Sequence, residues 1–159
     1  MGKYDVMTVA HWFLWRNEFA MNDKGAENLS LLQLTKLLYY AEGCYLALHN
    51  GEKLFDAPIV AWRHGPAIEI VFNAYADLYV LPFSEQDRED GLSVSKEDQA
   101  LLEQVFNVFG AYSAWALRDK SIAETPWLEA TDGGQRLNGE INQDTMQKYF
   151  ASHYISEGD

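Results

Sequence analysis

The run from Leu32 to Tyr75 constrains the fold of this chain more than any other segment. It predicts an amphipathic helix that ends at Asn50-Gly51, then a short apolar strand, and then a second helix that begins at Gly65-Pro66. Glycine takes the positive φ that ends a helix, and proline loses nothing at the first helical position. Since no residue in the run is arranged for catalysis, it predicts a surface that holds another molecule.

The helix within this run is predicted to lie at the centre of the fold. Ser30, followed three residues later by Gln33, has the form of a capping box. Two adjacent apolar stripes then follow at helical spacing, one formed by Leu34, Leu38, Ala41, Tyr45 and Leu48, the other by Leu37, Tyr40, Cys44 and Ala47. A face this wide predicts that the helix packs against several partners.

Most of the remaining chain is also predicted to be helical. Further helices are predicted at residues 8–21 with Thr8 as the cap, at 95–109, at 113–118, after Pro126, and at 143–152. A brief strand is predicted over 57–62, a charged loop over 84–91, and a frayed tail after Ile155. The chain is therefore predicted to be mainly α, a compact single-domain bundle of five to seven helices with one small β element. That domain spans residues 1–159, with its core at about 6–155.

Composition narrows the possible partners. The net charge is −12, from 24 acidic and 12 basic residues, so a nucleic acid would be repelled and no direct nucleic-acid partner is expected. A cationic partner would be attracted, although an acidic surface also serves solubility alone. Cys44 is the single cysteine, which suits a reducing cytoplasm. No signal peptide is visible and no apolar stretch approaches ~20 residues, so a cytoplasmic chain with no membrane partner is expected.

The chain offers little for catalysis. Its histidines are His11, His49, His64 and His153, and none has metal-ligand spacing. His64 stands beside Arg63 and Gly65, where recognition or structure is favoured over acid–base chemistry. No nucleophile elbow, phosphate loop or dinucleotide fingerprint occurs. The sequence therefore predicts no catalytic residue, no metal, no cofactor and no enzyme activity.

Two motifs and two later aromatic positions carry a resemblance to a known family. Residues 34–40 read LTKLLYY and residues 61–66 read AWRHGP, with Tyr75 on the helix that follows and Pro126-Trp127 farther along. These features resemble the Panacea, or SocA-like antitoxin, domain family (also called the phage-associated GepA-like proteins). The resemblance covers roughly residues 6–150. The chain departs from the family at Lys120-Ser121, where members commonly have Thr-His, and at Ala67, where they have valine.

The resemblance implies a mostly helical antitoxin that silences a cognate protein toxin by direct contact; the toxin's identity does not follow. A second hypothesis, which some relatives suggest, is an adaptor that delivers a bound partner to a protease. A third is a small hydrolase or ligand-binding domain with His64 in a deep pocket and a carboxylate beside it. Aromatic residues around Trp12, Trp15 and Phe19 also suggest self-association, although burial within a monomer explains them equally well.

The predicted partner-binding residues come from the two motifs and the aromatic positions after them. They are Lys36, Tyr39, Tyr40, Trp62, Arg63, His64, Gly65, Pro66, Tyr75 and Trp127. Lys36 is expected either to reach solvent or to pair with a carboxylate. Of the neighbours Tyr39 and Tyr40, one is expected to be buried and the other to meet solvent or a partner. Trp62 is either core or an exposed hot spot, and Gly65-Pro66 is expected to set backbone geometry.

Overall fold

The computed structural model describes residues 2–78, 81 and 84–155. These residues form eight helices: α1 (Val6–Lys24), α2 (Leu31–Leu48), α3 (Glu69–Tyr75), α4 (Glu85–Ser93), α5 (Lys96–Phe109), α6 (Ala114–Ile122), α7 (Thr125–Ala130) and α8 (Gln143–His153). Four strands are described as well: β1 (Gly2–Asp5), β2 (Lys53–Asp56), β3 (Val60–Trp62) and β4 (Gly65–Ala67). The predicted mainly α, compact class is confirmed. The described part exceeds the predicted five to seven helices by one, and it holds two small sheets instead of one.

Helix α2 lies at the centre, as its two apolar stripes predict. Every residue from Leu34 to Leu46 is buried, and the helix packs against α1, α3, α5, α6 and α8 and against β2 and β4. Ser30 is the N-cap, since its hydroxyl accepts a hydrogen bond from the Gln33 amide at 3.1 Å. The side chain of Gln33 does not complete the capping box. It donates to the Tyr112 carbonyl at 3.1 Å, and this bond holds the start of α2 against the segment that follows α5.

The segment around Gly65-Pro66 differs from its prediction. Residues 65–67 form β4, which pairs antiparallel with β3 across the two-residue turn Arg63-His64, and α3 begins only at Glu69. A Gly-Pro pair suits a turn into a strand as well as it suits a helix start, because β4 is an edge strand, where proline is tolerated. On its other side β3 pairs with residues 138–141, through the hydrogen bond from the Ala61 amide to the Gly139 carbonyl (2.8 Å).

The second sheet and helix α4 were both missed. Strand β1 pairs in parallel with β2, a contact between segments about fifty residues apart that four-residue stretches do not signal. The predicted charged loop is helix α4, which begins at a capping box formed by Ser84 and Asp87. Gly91 brings α4 close to α1, since a Cβ there would lie 2.6 Å from the Trp15 ring.

Helix α1 begins earlier than predicted, because Asp5 and not Thr8 is its N-cap, its carboxylate accepting from the Met7 amide at 2.8 Å. The predicted frayed tail after Ile155 lies outside the described residues.

Candidate functional site

A groove of about 460 Å³ lies between the first turns of α2 and the β3–β4 hairpin. It is lined by Leu31, Leu32, Thr35 and Lys36 of α2, by Trp62, Arg63, His64, Gly65 and Ala67 of the hairpin, and by Phe72 and Asn138. Five of the ten predicted binding residues meet here: Lys36, Trp62, Arg63, His64 and Gly65. The walls are mostly apolar, and the charged residues among them, Lys36 and Arg63, are basic.

Two aromatic side chains form the apolar wall. Trp62 is half-buried, and its ring meets the ring of Phe72 edge-on at 5.1 Å between centroids. Phe72 is 41% exposed, although Ile68, Val71 and Tyr75 near it are buried. Helical spacing alone would put Phe72 on the same apolar side of the helix as these three. It instead borders the groove, where a partner could cover it.

Lys36 lies at the floor of the groove. It is neither exposed to solvent nor paired with a carboxylate of the described residues, the two states that the sequence predicts. Its side chain is 1% exposed, and its ammonium donates to the Pro66 carbonyl at 3.0 Å. No carboxylate bonds to it among the described residues, so both the solvated and the carboxylate-paired predictions are wrong. Burial, and then the nearby charge of Arg118, lower the pKa of Lys36 to about 7.

Gly65 is required at its position for two reasons. Its φ is +105°, a conformation that favours glycine. A Cβ there would also lie 2.7 Å from Cε of Lys36 and 2.7 Å from Oγ of Ser121. The absence of a side chain therefore allows Lys36 to lie beneath the hairpin and reach the Pro66 carbonyl.

The hairpin turn faces helix α6. Arg63 and His64 are exposed, and the His64 ring meets the Trp115 ring edge-on at 5.5 Å. The Arg118 guanidinium lies 5.7 Å from the Trp115 ring centre and bonds Asp119 at 2.9 Å. Nε of Arg118 is buried without a hydrogen-bond partner in the described part of the chain. Within α6, Leu117 is buried and Trp115 is exposed beside the turn.

Tyr39 and Tyr40 lie inside the fold and do not line the groove. Both are fully buried, and both hydroxyls donate to the same oxygen of Glu124, at 3.2 and 3.1 Å. Tyr154 donates to the other oxygen of this carboxylate. Burial raises the pKa of Glu124, and the tyrosine hydrogen bonds oppose that rise. The expectation that one of the two neighbours meets solvent or a partner is wrong, because the wide apolar face of α2 is covered on both sides.

The remaining three predicted residues are also packed inside. Trp127 is buried, and its indole N–H donates to the Trp62 carbonyl at 2.9 Å, which fixes the hairpin against α7. Tyr75 is buried in the last turn of α3. Pro66 is buried, and its carbonyl is the acceptor for Lys36. Trp127 and Pro66 therefore support the groove from behind, through their hydrogen bonds to Trp62 and Lys36.

A comparison with family models identifies the domain. The model described as antitoxin SocA-like, Panacea domain, matches residues 34–128. The chain belongs to this family. The Panacea match runs from α2 to α7 and contains all ten predicted residues and most of the groove lining. No curated protein and no solved structure matches the chain.

Two further properties of the described residues concern membrane insertion and metal binding. None of the helices in the described ranges has the length and apolarity needed to cross a membrane. Within the same ranges, no group of three or more histidine, cysteine, aspartate or glutamate side chains is placed to hold a metal ion. No carboxylate lines the groove beside His64 in the described part of this Panacea domain, which is the pairing that the hydrolase hypothesis needs.

Proposed function

We propose that this Panacea domain is an antitoxin that neutralises a separate protein toxin by direct binding, and that the groove is the binding surface. The observation that carries the proposal is the aromatic wall formed by the half-buried Trp62 and the exposed Phe72, which lies inside the family match. The family's description as SocA-like antitoxin supports the general role. In this proposal the chain acts in the cytoplasm as a single binding domain and catalyses no reaction.

The composition of the groove suits a protein interface. Tryptophan and arginine are enriched among residues that carry most of the binding energy, and such residues lie near the centre of a contact. Trp62 is held from behind by the hydrogen bond between its carbonyl and Trp127, so its position is fixed before a partner arrives. A preorganised surface loses less conformational entropy on binding. The rigid hairpin therefore favours tight, specific contact.

Co-expression with the product of the adjacent reading frame tests this proposal. We expect that product to stop growth when expressed alone, and the chain to restore growth and to co-purify with it. Phe72→Ala should weaken rescue and co-purification, because it removes part of the groove wall. Phe19→Ala is a matched control, since Phe19 is 55% exposed on α1 and also meets a tryptophan edge-on, at 5.7 Å from Trp15.

The outcomes separate the function from its location. No rescue and no co-purification with the wild-type chain would count against the antitoxin role. Rescue that Phe19→Ala weakens and Phe72→Ala leaves intact would move the binding surface from the groove to α1.

The proteolytic adaptor remains a second candidate because the structure contains another apolar surface. Leu48 and Val108 are exposed there, beside Leu101 and the half-buried Ile155. Leu48 lies twelve residues after Lys36 on α2, roughly 18 Å along the helix axis, so the two surfaces could be occupied together. The half-life of the toxin discriminates: an adaptor shortens it, and a stoichiometric inhibitor preserves or lengthens it.

A further inference from the structure

The groove is basic although the chain is acidic. Acidic residues outnumber basic ones 24 to 12 in the sequence. The described lining of the groove nevertheless includes Lys36, Arg63 and His64 and contains no aspartate or glutamate. Apolar walls of low dielectric strengthen the local field of such charges. The groove therefore attracts a negative group, even though the surface as a whole attracts positive ones.

Lys36, at the floor of the groove, has unused hydrogen-bond donors. An ammonium has three N–H groups, and the described residues supply one acceptor for Lys36, the Pro66 carbonyl at 3.0 Å. Buried donors without acceptors are unfavourable. An acceptor brought by a partner would relieve this.

We propose that the groove binds an apolar segment of the toxin that carries an aspartate or glutamate side chain, and that this carboxylate contacts Lys36 at the floor and Arg63 at the rim. This inference rests on the proposed antitoxin function and names the chemistry that the antitoxin recognises. The apolar neighbours of the carboxylate would cover Trp62 and Phe72, and the carboxylate would supply a further acceptor for the Lys36 ammonium.

The depth of Lys36 favours a side chain over a chain terminus. The ammonium is buried between α2 and the hairpin, so a carboxylate on a slender methylene stem reaches it more easily than one attached directly to backbone. A segment that continues on both sides of its acidic residue would also cover both the leucines of α2 and Phe72. A terminus placed on Lys36 would leave one of these walls open.

Charge also explains why Lys36 is suited to recognition. Burial and the neighbouring Arg118 lower its pKa to about 7, so the charged form is held at a cost in the free chain. An incoming carboxylate favours the charged form, and the pair gains strength from the apolar surroundings. A carboxylate therefore binds more strongly to Lys36 than it would to an exposed lysine.

Titration of the purified toxin with four chains, wild type, Arg63→Glu, Lys36→Met and Lys148→Glu, tests the proposal. Arg63 is exposed, so its replacement leaves the fold intact, and exposed Lys148 on α8 is the control for a change of net charge. We expect Arg63→Glu and Lys36→Met to weaken binding by about tenfold or more, and Lys148→Glu to change it far less. Circular dichroism of each variant checks that it is folded.

A second arm identifies the source of the carboxylate. Each surface aspartate and glutamate of the toxin is replaced by its amide, and a separate toxin carries extra residues after its C-terminus. We expect one amide replacement to weaken binding by about as much as Arg63→Glu and to be non-additive with it. Loss of binding on C-terminal extension, with every amide variant unaffected, would overturn the side-chain proposal.

The outcomes distinguish this inference from the proposed function. Tight binding by the wild type that neither Arg63→Glu nor Lys36→Met weakens would overturn the acidic-segment proposal and leave the antitoxin role standing. If the wild-type chain does not bind the toxin, the proposed function fails, and the inference that depends on it fails too.

Discussion

The ammonium of Lys36 lies 3.0 Å from the carbonyl oxygen of Pro66, and this hydrogen bond joins the two sequence motifs of the domain. The first motif contributes a cation from the central helix α2, and the second contributes an acceptor from β4. The bond passes beneath Gly65, which has no side chain to obstruct it. The contact between these two segments forms the floor of the groove.

Replacing Gly65 with alanine should destabilise the chain more than the same change at another glycine of positive φ. Gly65→Ala combines the strain at φ +105° with contact against Lys36 and Ser121, while Gly133 has φ +70° and nothing within 4 Å of an added Cβ. We expect losses in the free energy of unfolding of about 2–3 kcal/mol for Gly65→Ala and about 1 kcal/mol for Gly133→Ala. Urea denaturation measures both, and equal losses would show that the close packing under the hairpin is unimportant.

Lys36→Met should change how stability depends on pH. The pKa of Lys36 is about 7 in the folded chain against an ordinary 10.5, so between these values the unfolded chain binds more protons and stability rises with pH. The cost of the charged form is fully present below about pH 7. We expect Lys36→Met to raise the free energy of unfolding by about 2 kcal/mol near pH 6, with a gain that shrinks toward pH 10.

Exposed Lys148 is the control for that experiment, because Lys148→Met removes a charge without removing a buried one. The free energy of unfolding of Lys148→Met should depend on pH in the same way as that of the wild type. A parallel profile for Lys36→Met as well would mean that Lys36 is not desolvated as described.

Glu42 should make the free energy of unfolding fall as pH rises, over a lower pH range than Lys36 affects. Burial raises the pKa of its carboxyl from 4.5 to about 7. The hydrogen bond that the carboxylate accepts from the Leu54 amide at 2.6 Å opposes this rise. Its other oxygen has no partner among the described residues. Between these pKa values the folded chain binds more protons, so this group's stabilisation is lost as pH rises through about 7.

Glu42→Gln should therefore stabilise the chain by about 1 kcal/mol near pH 8 and lose that advantage near pH 4.5. Glu140→Gln is the control, because Glu140 borders the same small cavity but is exposed. Thermal melts across this pH range measure both. A constant difference between Glu42→Gln and the wild type would contradict the assignment.

Tyr39→Phe and Tyr40→Phe should affect stability and leave toxin binding unchanged. Each change removes one hydrogen bond to Glu124, and we expect each to lower the free energy of unfolding by about 1 kcal/mol. Because both rings are buried, the affinity of the folded variants for the toxin should match the wild type. A large loss of affinity without a loss of stability would place these tyrosines at the interface after all.

The central helix was predictable because its signals are local. The Ser30 cap and the leucine spacing of α2 lie within one segment, and both appear in the structure. Helix α4 was missed because its charges resemble a solvated loop, while Gly91, which packs against Trp15, gives only a weak signal. The β1–β2 pairing depends on segments far apart in the sequence.

Part of the candidate site was predictable because its signals are also local, within the two motifs. The motif residues Lys36, Trp62 and His64 are all predicted binding residues, and all three line the groove. The exposure of Phe72 and Trp115 depends on which face of each short helix packs inward, and seven to nine residues do not determine this from periodicity alone. The state of Lys36 could not be predicted, because a lysine in a helix is usually solvated and its acceptor, Pro66, lies on a strand where the sequence predicts a helix.

The exchange of backbone amides for deuterium, with and without bound toxin, tests the central claim most directly. The groove account predicts that toxin slows exchange in residues 62–72, above all at the exposed turn Arg63-His64, and in the first turn of α2, with α1 and α4 unchanged. Slowed exchange confined to α1 and α4, with residues 62–72 exchanging as in the free chain, would contradict it.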